Sequence, residues 1–187
     1  MSQTKKILMT KQGKKFYARS LDEDLHTQYG MIKSHDLKAK DGSLVKSNTG
    51  KEFYIFEPQF IDLYRKIKRD AQIIPLKDIG FIIAETGINK SSKVLDAGSG
   101  SGALACFLAA TAKEVITYEI REDFIEIVKS NIAFLGLKNV KIKNIDIYQK
   151  IDDKNVDTII LDLPEPWNAI ENCSKALKAG GFLVSYS

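Results

Sequence analysis

The sequence predicts an α/β protein with a doubly wound, mostly parallel sheet and a small β module in front of it. From residue 77 onward, helical and extended stretches alternate, which is typical of a parallel sheet with helical crossovers. Before residue 58, short alternating or aromatic-rich runs are separated by turn signals, which indicates hairpins. We therefore expect a β module at 1–57, a connecting helix and linker at 58–76, and the sheet domain at 77–187.

The β module is predicted from four runs between residues 14 and 57, namely KKFYARS, TQYGMIKS, GSLVKS and KEFYIFE. Asp41-Gly42 and Thr49-Gly50 supply turns, because Gly accepts the left-handed backbone of tight hairpins. The next stretch, PQFIDLYRKIKRD, predicts a helix over residues 58–70, since its apolar residues recur on one helical face and Pro58 suits the first turn. Its basic residues fit either a solvated face or a nucleic-acid contact.

The sheet domain is predicted element by element from the change in hydrophobic period. Strands are expected at KVLDAG, EVITYE, VKIKNIDI, VDTIILDL and FLVSYS. Helices are expected at KDIGFIIAETG, GALACFLAATA, REDFIEIVKSNIAFLG and WNAIENCSKALKAGG, and Gly87 and Gly136 mark the ends of two of them. The alternating order of these strands and helices is typical of a doubly wound sheet.

Composition limits the classes of protein to which the chain can belong. Of its 187 residues, 44% are apolar and 28% are charged, which is ordinary for a soluble globular protein, and no apolar run is long enough to span a bilayer. The polar start MSQTKKILMTKQGKK does not fit a secretory signal, so we expect a cytoplasmic protein without a membrane partner. Cys106 and Cys173 lie in apolar contexts, and His26 and His35 form no cluster, so we expect buried, reduced cysteines and no metal.

Charge is distributed unevenly along the chain. The net charge is +4, but residues 1–78 contain 16 Lys and Arg against 10 Asp and Glu, whereas the remainder has a small acidic excess. A basic front half fits a surface that meets a polyanion, and it also fits ordinary solvated lysines.

A glycine-rich loop joins the first strand of the sheet domain to its helix. In VLDAGSGSGAL, residues 94–104, Gly98, Gly100 and Gly102 let the backbone turn sharply and approach a ligand, and the following helix presents free amide groups. Gly98, Gly100 and Ala103 also satisfy the dinucleotide pattern G-x-G-x-x-G/A, in which a pyrophosphate lies over the helix. A tight turn without a ligand is the third interpretation.

Acidic residues at the ends of neighbouring strands narrow the choice of ligand. Glu119 ends the second strand, 21 residues after Gly98, where a carboxylate accepts the hydroxyls of a ribose. Asp96 heads the loop and suits the cationic amino-acid end of S-adenosylmethionine better than a pyrophosphate. Asp146 in NIDIY is either an acceptor for an adenine amino group or an exposed turn residue. These features favour S-adenosylmethionine over a nicotinamide dinucleotide.

The fourth strand ends in the motif DLPEPW. Ligands of open α/β sheets lie at the carboxyl ends of the strands, so we expect Asp162 in the same crevice as the other strand-end acids. Pro164 and Pro166 fix φ and help to hold the carboxylate in one orientation. The motif loosely resembles the Asn/Asp-Pro-Pro-aromatic motif of methyltransferases that act on amino groups of nucleobases. A proline-braced turn with a capping Asp is the alternative.

The combined motifs resemble the archaeal and bacterial tRNA (adenine-N1)-methyltransferases that modify adenine 58 of the T loop, and in archaea also adenine 57. The resemblance is carried by RDAQIIPLKDIGFI, VLDAGSGSGAL, VITYEIREDF, NIDIY and VDTIILDLPEPW, and LHTQYGMIKSHDL resembles the family's small N-terminal β module. The resemblance implies a class I, Rossmann-like methyltransferase that binds S-adenosyl-L-methionine and tRNA. It also implies a homo-oligomer, which in the family is a tetramer.

The resemblance assigns roles to individual residues. It implies Asp162 as the catalytic carboxylate, which would hold the exocyclic amine of adenine and stabilise the positive charge that develops on the ring. The implied cofactor residues are Ser101, Gly102, Ala103 and Leu104 in the loop, Glu119 on the ribose, Phe124 nearby, Asp146 near the adenine and Gln72 in the pocket wall. The target adenine would have to be extruded from the folded tRNA.

Two features depart from the family pattern. Pro75-Leu76 stands where the family usually has an aromatic residue or His followed by Pro. The sequence ends at Ser187, where the family continues through two more strands, so we expect FLVSYS to be an apolar edge strand. A non-catalytic subunit that binds RNA or cofactor, or a truncated inactive homologue, is therefore an alternative function. A methyltransferase that acts on protein or a small molecule is a third.

Overall fold

The computed structural model describes residues 3–186 and divides into two compact units, Met1–Lys66 and Ile67–Ser187. Met1, Ser2 and Ser187 lie outside the described residues, although the expected β module and the expected strand FLVSYS include them. Between residues 3 and 186, no helix combines the length and the apolar character needed to cross a membrane.

The N-terminal unit is built from short antiparallel strands around a small apolar core. The strands are β1 (Lys6–Met9), β2 (Lys15–Ala18), β3 (Leu25–Thr27), β4 (Gly30–Ile32), β5 (Leu44–Lys46) and β6 (Glu52–Phe56). One sheet has the order β2-β1-β6-β5, and β3 pairs with β4. Buried side chains fill the core, namely Leu8, Ala18, Ile32, Leu37, Val45, Phe53 and Ile55. The predicted antiparallel module is confirmed, although β1 was not predicted.

A short helix, α1 (Phe60–Tyr64), replaces the predicted helix over residues 58–70. Gln59 is its N-cap and forms a capping box with Asp62, whose carboxylate accepts a hydrogen bond from the backbone N–H of Gln59 at 3.2 Å. Pro58 therefore precedes the cap and does not occupy the first turn. The apolar spacing indicated the helix correctly but overestimated its length.

The second unit is an α/β sandwich whose sheet is parallel throughout. Its strands are β7 (Lys93–Ala97), β8 (Glu114–Tyr118), β9 (Val140–Lys143), β10 (Val156–Leu161) and β11 (Leu177–Ser185). Its helices are α2 (Leu76–Thr86), α3 (Ala103–Leu108), α4 (Glu122–Leu135) and α5 (Ile170–Ala176). The strand order is β11-β10-β7-β8-β9, with parallel pairing between all neighbours. The predicted fold class is confirmed.

Strand order reverses between β7 and β10. The chain runs outward from β7 through β8 to β9, and it then returns to add β10 on the other side of β7. Ligands of open α/β sheets bind in the crevice at such a switch point, outside the carboxyl ends of the strands. The loops after β7 and β10 are therefore the two that the fold places beside that crevice.

Several boundaries differ from the prediction. α3 ends at Leu108, and β9 ends at Lys143, so both elements are shorter than their sequence patterns. α5 ends at Ala176, because Leu177 is already extended, with φ −63° and ψ 145°. The pair of glycines read as the end of that helix instead lies inside β11, where Gly180 has a φ of +78°. The glycine pair therefore indicates an irregular position within a strand, and it does not indicate the end of a helix.

Both faces of the parallel sheet are buried at its central strands. One face packs against α2 and α3 through Ile79, Ile82, Val94, Leu104, Leu108, Val115 and Ile160. The opposite face carries Leu95, Ala97, Ile116, Tyr118, Ile159 and Leu161, which pack with Cys173 of α5. Each fully buried Leu or Ile contributes about 1.5–3 kcal/mol to folding, so the central strands anchor the loops at their ends. Cys106 and Cys173 are buried and free, as the sequence predicts.

β11 lies at one margin of the sheet formed by the described residues. Phe182 and Leu183 on this strand are 48% and 40% exposed. The expected apolar edge strand is therefore present over the part of FLVSYS that the structure describes.

Candidate active site

The glycine loop connects β7 to α3 through a left-handed backbone. Gly98, Gly100 and Gly102 have φ values of +90°, +50° and +73°. A Cβ on Gly98 would overlap the backbone carbonyl of Asp162, and a Cβ on Gly102 would lie 2.8 Å from the side chain of Val128. The loop therefore requires glycine both for its backbone conformation and for its close approach to neighbouring elements.

Glu119 holds the glycine loop from the next strand end. The residue directly follows β8 and is 7% exposed. Its Oε2 accepts a hydrogen bond from the backbone N–H of Gly100 at 3.0 Å. Its Oε1 accepts from the backbone N–H groups of Ile120 at 2.9 Å and Arg121 at 3.0 Å. A carboxylate oxygen accepts about two hydrogen bonds, so Oε2 keeps capacity for a further donor such as a hydroxyl group.

Asp96 lies beneath the loop and does not line the crevice. It is 1% exposed within β7, and its Oδ2 accepts a hydrogen bond from Thr117 Oγ1 at 2.6 Å. Burial raises the pKa of Asp96 to about 7; the Thr117 hydrogen bond opposes this, while the charges of Asp162 and Glu119 reinforce it. Its Oδ1 has no hydrogen-bond partner within residues 3–186. The sequence predicted that Asp96 would face the crevice together with the other strand-end acids. Asp96 instead lies below the crevice and interacts with Asp162 and Glu119 only through its charge.

Asp162 stands at the switch point beside the loop. Its backbone N–H donates to the carbonyl of Ala97 at 2.9 Å, which continues the pairing of β10 with β7 by one residue. The side chain is exposed, yet partial burial by neighbouring protein raises the pKa of its carboxyl group. Pro166 begins a short 3-10 turn, Pro166–Ala169, and Trp167 in that turn is 61% exposed. The turn thus separates β10 from the next helix, and the role of the prolines in orienting the Asp162 carboxylate stays a prediction.

A small crevice brings the loop, the strand end and the segment before α2 together. Gln72, Ile73 and Ile74 line one side, and Asp162 lines another. The glycine loop completes it with Gly98, Ser99, Gly100, Ser101, Ala103 and Leu104. The structure therefore gathers most of the predicted site residues at one place, at the carboxyl end of the sheet.

Comparison with known proteins identifies the family. Residues 58–187 match the model of the family described as the tRNA methyltransferase complex GCD14 subunit. The chain belongs to the GCD14 family. This finding confirms the resemblance predicted from the sequence motifs.

Curated relatives match most of the chain. The tRNA (adenine(57)-N(1)/adenine(58)-N(1))-methyltransferase TrmI of Methanocaldococcus jannaschii is 36% identical, over 97% of this chain and 74% of the relative. The tRNA (adenine(58)-N(1))-methyltransferase TrmI of Thermus thermophilus is 32% identical, over 80% of this chain and 61% of the relative. The chain thus spans about three-quarters of the first relative and about three-fifths of the second.

Solved structures agree with the GCD14 assignment. A SAM-dependent O-methyltransferase from Thermotoga maritima has a TM-score of 0.84 and 34% identity, covering 97% of this chain and 71% of that one. The tRNA (m1A58) methyltransferase TrmI from Aquifex aeolicus has a TM-score of 0.76 and 28% identity, covering 95% of this chain and 72% of that one. The chain therefore has the fold of S-adenosylmethionine-dependent methyltransferases.

The site has the chemistry expected for the cofactor of the GCD14 family. Asp96 Oδ1 and Ser101 Oγ are buried polar atoms without a hydrogen-bond partner within the described chain, although buried polar groups are usually satisfied. Ser101 lies in the glycine loop and Asp96 lies beneath it, and Glu119 also keeps acceptor capacity there. The Glu119 carboxylate suits a ligand that carries hydroxyl groups. Among residues 3–186, no group of three or more His, Cys, Asp or Glu side chains is arranged to hold a metal ion.

Five predicted cofactor residues do not line the crevice, namely Asp96, Gly102, Glu119, Phe124 and Asp146. The first three belong to the glycine loop or adjoin it. Phe124 is in the first turn of α4, where the guanidinium of Arg121 lies 4.1 Å from its ring centroid. Asp146 follows β9, and its carboxylate accepts hydrogen bonds from the backbone N–H of Tyr148 at 2.9 Å and from Gln149 Nε2 at 3.3 Å. Asp146 therefore organises a turn. Contact of either side chain with a cofactor stays a prediction.

The sequence did not reveal Asn131, which joins three parts of the site. On the buried face of α4, its amide bonds to the backbone of Lys68 and to the carbonyl of Ser101. One signal was available: Asn131 continues the apolar stripe of Ile125 and Val128 at helical spacing.

Proposed function

We propose that the chain methylates N1 of adenine 58 in the T loop of tRNA, with adenine 57 as a second target, and that S-adenosyl-L-methionine is the methyl donor. The observation that carries the proposal is the crevice in which Gln72, the glycine loop and Asp162 meet, in a chain of the GCD14 family. The names of the Methanocaldococcus and Thermus relatives support the choice of adenine N1.

The glycine loop would hold the cofactor. Backbone amides at the start of α3 would face its polar groups, and Glu119 would accept a hydrogen bond from a ribose hydroxyl. Gln72, Ser101 and Leu104 would line the pocket around it. When bound, S-adenosylmethionine supplies a methyl group that its positively charged sulfur activates for transfer.

Asp162 would position the target base. Adenine N1 has a free lone pair, so the reaction needs orientation more than a strong base. The Asp162 carboxylate would accept a hydrogen bond from the exocyclic amine, and its negative charge would stabilise the positive charge that develops on the ring. The raised pKa of Asp162 also makes it a better acceptor for a proton of that amine. Trp167 would frame the extruded base.

Different parts of the chain would bind the RNA and carry out the methyl transfer. We propose residues 1–57 as an RNA-facing module, 58–76 as the connection and 77–187 as the catalytic domain, in a cytoplasmic homo-oligomer that resembles the family tetramer. The basic excess of the front half supports contact with tRNA phosphates. Light scattering on the purified protein, with and without tRNA, tests the oligomeric state.

Methyl transfer from labelled S-adenosylmethionine to unmodified tRNA transcripts tests the central proposal. We expect 1-methyladenosine in the digested product, lost from transcripts in which adenines 57 and 58 are both replaced. Asp162→Ala should lower the rate by about 10²–10⁴-fold, in the range of acid–base groups, with unchanged cofactor affinity. Glu165→Gln, in the same exposed loop, is the matched control and should retain activity. Undiminished methylation by Asp162→Ala would contradict the role of this carboxylate.

A second candidate is methyl transfer to an oxygen atom. It is favoured by the Thermotoga structure, which is described as an O-methyltransferase and is 34% identical to this chain. The same digest distinguishes methyl transfer to adenine N1 from methyl transfer to oxygen. In the second case, an O-methylated nucleoside or a product formed without RNA replaces 1-methyladenosine. Binding of cofactor and tRNA without any product, also in the assembled oligomer, would instead favour a non-catalytic binding subunit.

A further inference from the structure

We infer that Asn131 is a positioning residue for cofactor binding, because it fastens the segment that carries Gln72 to the glycine loop. The inference rests on the proposed use of S-adenosylmethionine. Asn131 is fully buried on α4. Its Oδ1 accepts a hydrogen bond from the backbone N–H of Lys68 at 2.9 Å, and its Nδ2 donates to the carbonyls of Lys68 at 3.0 Å and Ser101 at 2.8 Å.

These contacts use the full donor capacity of the amide. A primary amide has two N–H donors and a carbonyl acceptor, and in Asn131 each donor has its own carbonyl while the oxygen has its own amide. Leu has a similar size but replaces none of these bonds, and Asp keeps only the acceptor. The requirement for asparagine is therefore chemical and not only steric.

The contacts connect opposite sides of the crevice. Ser101 lies in the glycine loop, and Lys68 lies four residues before Gln72. Between them, the Cβ of Ala71 is 3.4 Å from the position that a Cβ on Gly100 would occupy. Asn131 does not itself line the crevice, so it acts through the backbone of Lys68 and Ser101 that it holds.

The held segment has little regular structure of its own. Residues 67–75 contain no helix or strand, so few backbone hydrogen bonds define their path. Without Asn131, the segment would sample more positions, and cofactor binding would have to order it again at a cost in affinity. The expected consequence is weaker cofactor binding with an intact sheet.

Calorimetry with S-adenosylmethionine and S-adenosylhomocysteine on the full chain tests the inference. Asn131→Leu should weaken both ligands by about tenfold or more, and hydrogen exchange at Lys68 should accelerate. At saturating cofactor, the turnover of tRNA should stay close to that of the wild type, since Asn131 contacts no reacting atom. If Asn131→Leu does not fold, Asn131→Ala decides, because it removes the same hydrogen bonds and adds neither bulk nor charge at this buried site.

Asn139 provides the matched control. Its Nδ2 also donates to two backbone carbonyls, those of Ala109 at 2.9 Å and Ala112 at 3.1 Å, but these lie at the opposite end of α3 from the glycine loop. Asn139→Leu should lower stability without changing cofactor affinity. Equal affinities of wild type and both Asn131 variants, with faster exchange at Lys68, would overturn the inference. Absence of cofactor binding by the wild type would instead refute the proposed function.

Discussion

The backbone carbonyl of Asp162 occupies the space that a side chain on Gly98 would need. Next to this contact, the N–H of Asp162 donates to the carbonyl of Ala97 at 2.9 Å. The first residue of the glycine loop and the proposed catalytic carboxylate are thus held together by backbone packing across β7 and β10. Because both strands are buried in the core, this spacing is maintained without any side-chain contact between the two residues.

Substitution of Gly98 by Ala tests this relationship. The Cβ would overlap the Asp162 carbonyl, and the φ of +90° is unfavourable for Ala, so we expect a loss of about 2 kcal/mol or more in the free energy of unfolding. Displacement of either loop should also weaken S-adenosylmethionine binding. Denaturant titration and calorimetry measure the two effects.

Gly136 is the control for the cost of the backbone conformation alone. Its φ is +68°, and a Cβ there would meet no heavy atom within 4 Å. Gly136→Ala should therefore cost about 1 kcal/mol and leave cofactor affinity unchanged. Similar stability losses in the two variants would show that contact with Asp162 is unimportant.

Replacement of Glu119 by Gln tests the support of the loop. If Oε1 keeps its bonds to Ile120 and Arg121, the new Nε2 group faces the N–H of Gly100, and two donors oppose each other. We expect S-adenosylmethionine affinity to fall by about tenfold or more, as measured by calorimetry. Glu122→Gln, an exposed substitution at the start of α4, should bind normally. Wild-type affinity in Glu119→Gln would exclude both the support role and the ribose contact.

Local patterns predicted the sheet and the main site because both depend on strand ends. Three local features were enough to place the site, namely the period change at residue 77, the glycine loop and the strand ending at Asp162. The only further rule needed is that parallel strands align their carboxyl ends. Asn131 could not be assigned a partner, since its bond to Lys68 spans 63 residues. The end of α5 was also misplaced, because pairing with β10 extends the chain from Leu177 onward despite a helical pattern.

Asp96 makes the stability of the second unit depend on pH. Its folded pKa of about 7 is above the value of about 3.9 expected in the unfolded chain, so the folded state keeps the proton to higher pH. The stabilisation is complete below pH ~4 and is lost as the pH rises through ~7. Relative to Asp96→Asn, which cannot ionise, wild-type stability should therefore fall by up to roughly 4 kcal/mol between pH 4 and pH 8. Denaturant titrations across this range measure the difference, and parallel curves for the two proteins would contradict it.

Trp167 provides a spectroscopic test of the base-binding proposal. It is the only tryptophan in the sequence, is 61% exposed, and lies in the turn that follows Asp162. Stacking with an extruded adenine should quench its fluorescence when tRNA is added, and stacking of a base on an aromatic ring contributes about 1–3 kcal/mol. Trp167→Ala should accordingly raise the KM for tRNA by about tenfold while S-adenosylmethionine affinity is unchanged. Phe81→Ala removes a comparably exposed ring from α2 and should leave the KM for tRNA unaltered. Unchanged emission at saturating tRNA, with a wild-type KM in Trp167→Ala, would place the adenine away from this ring.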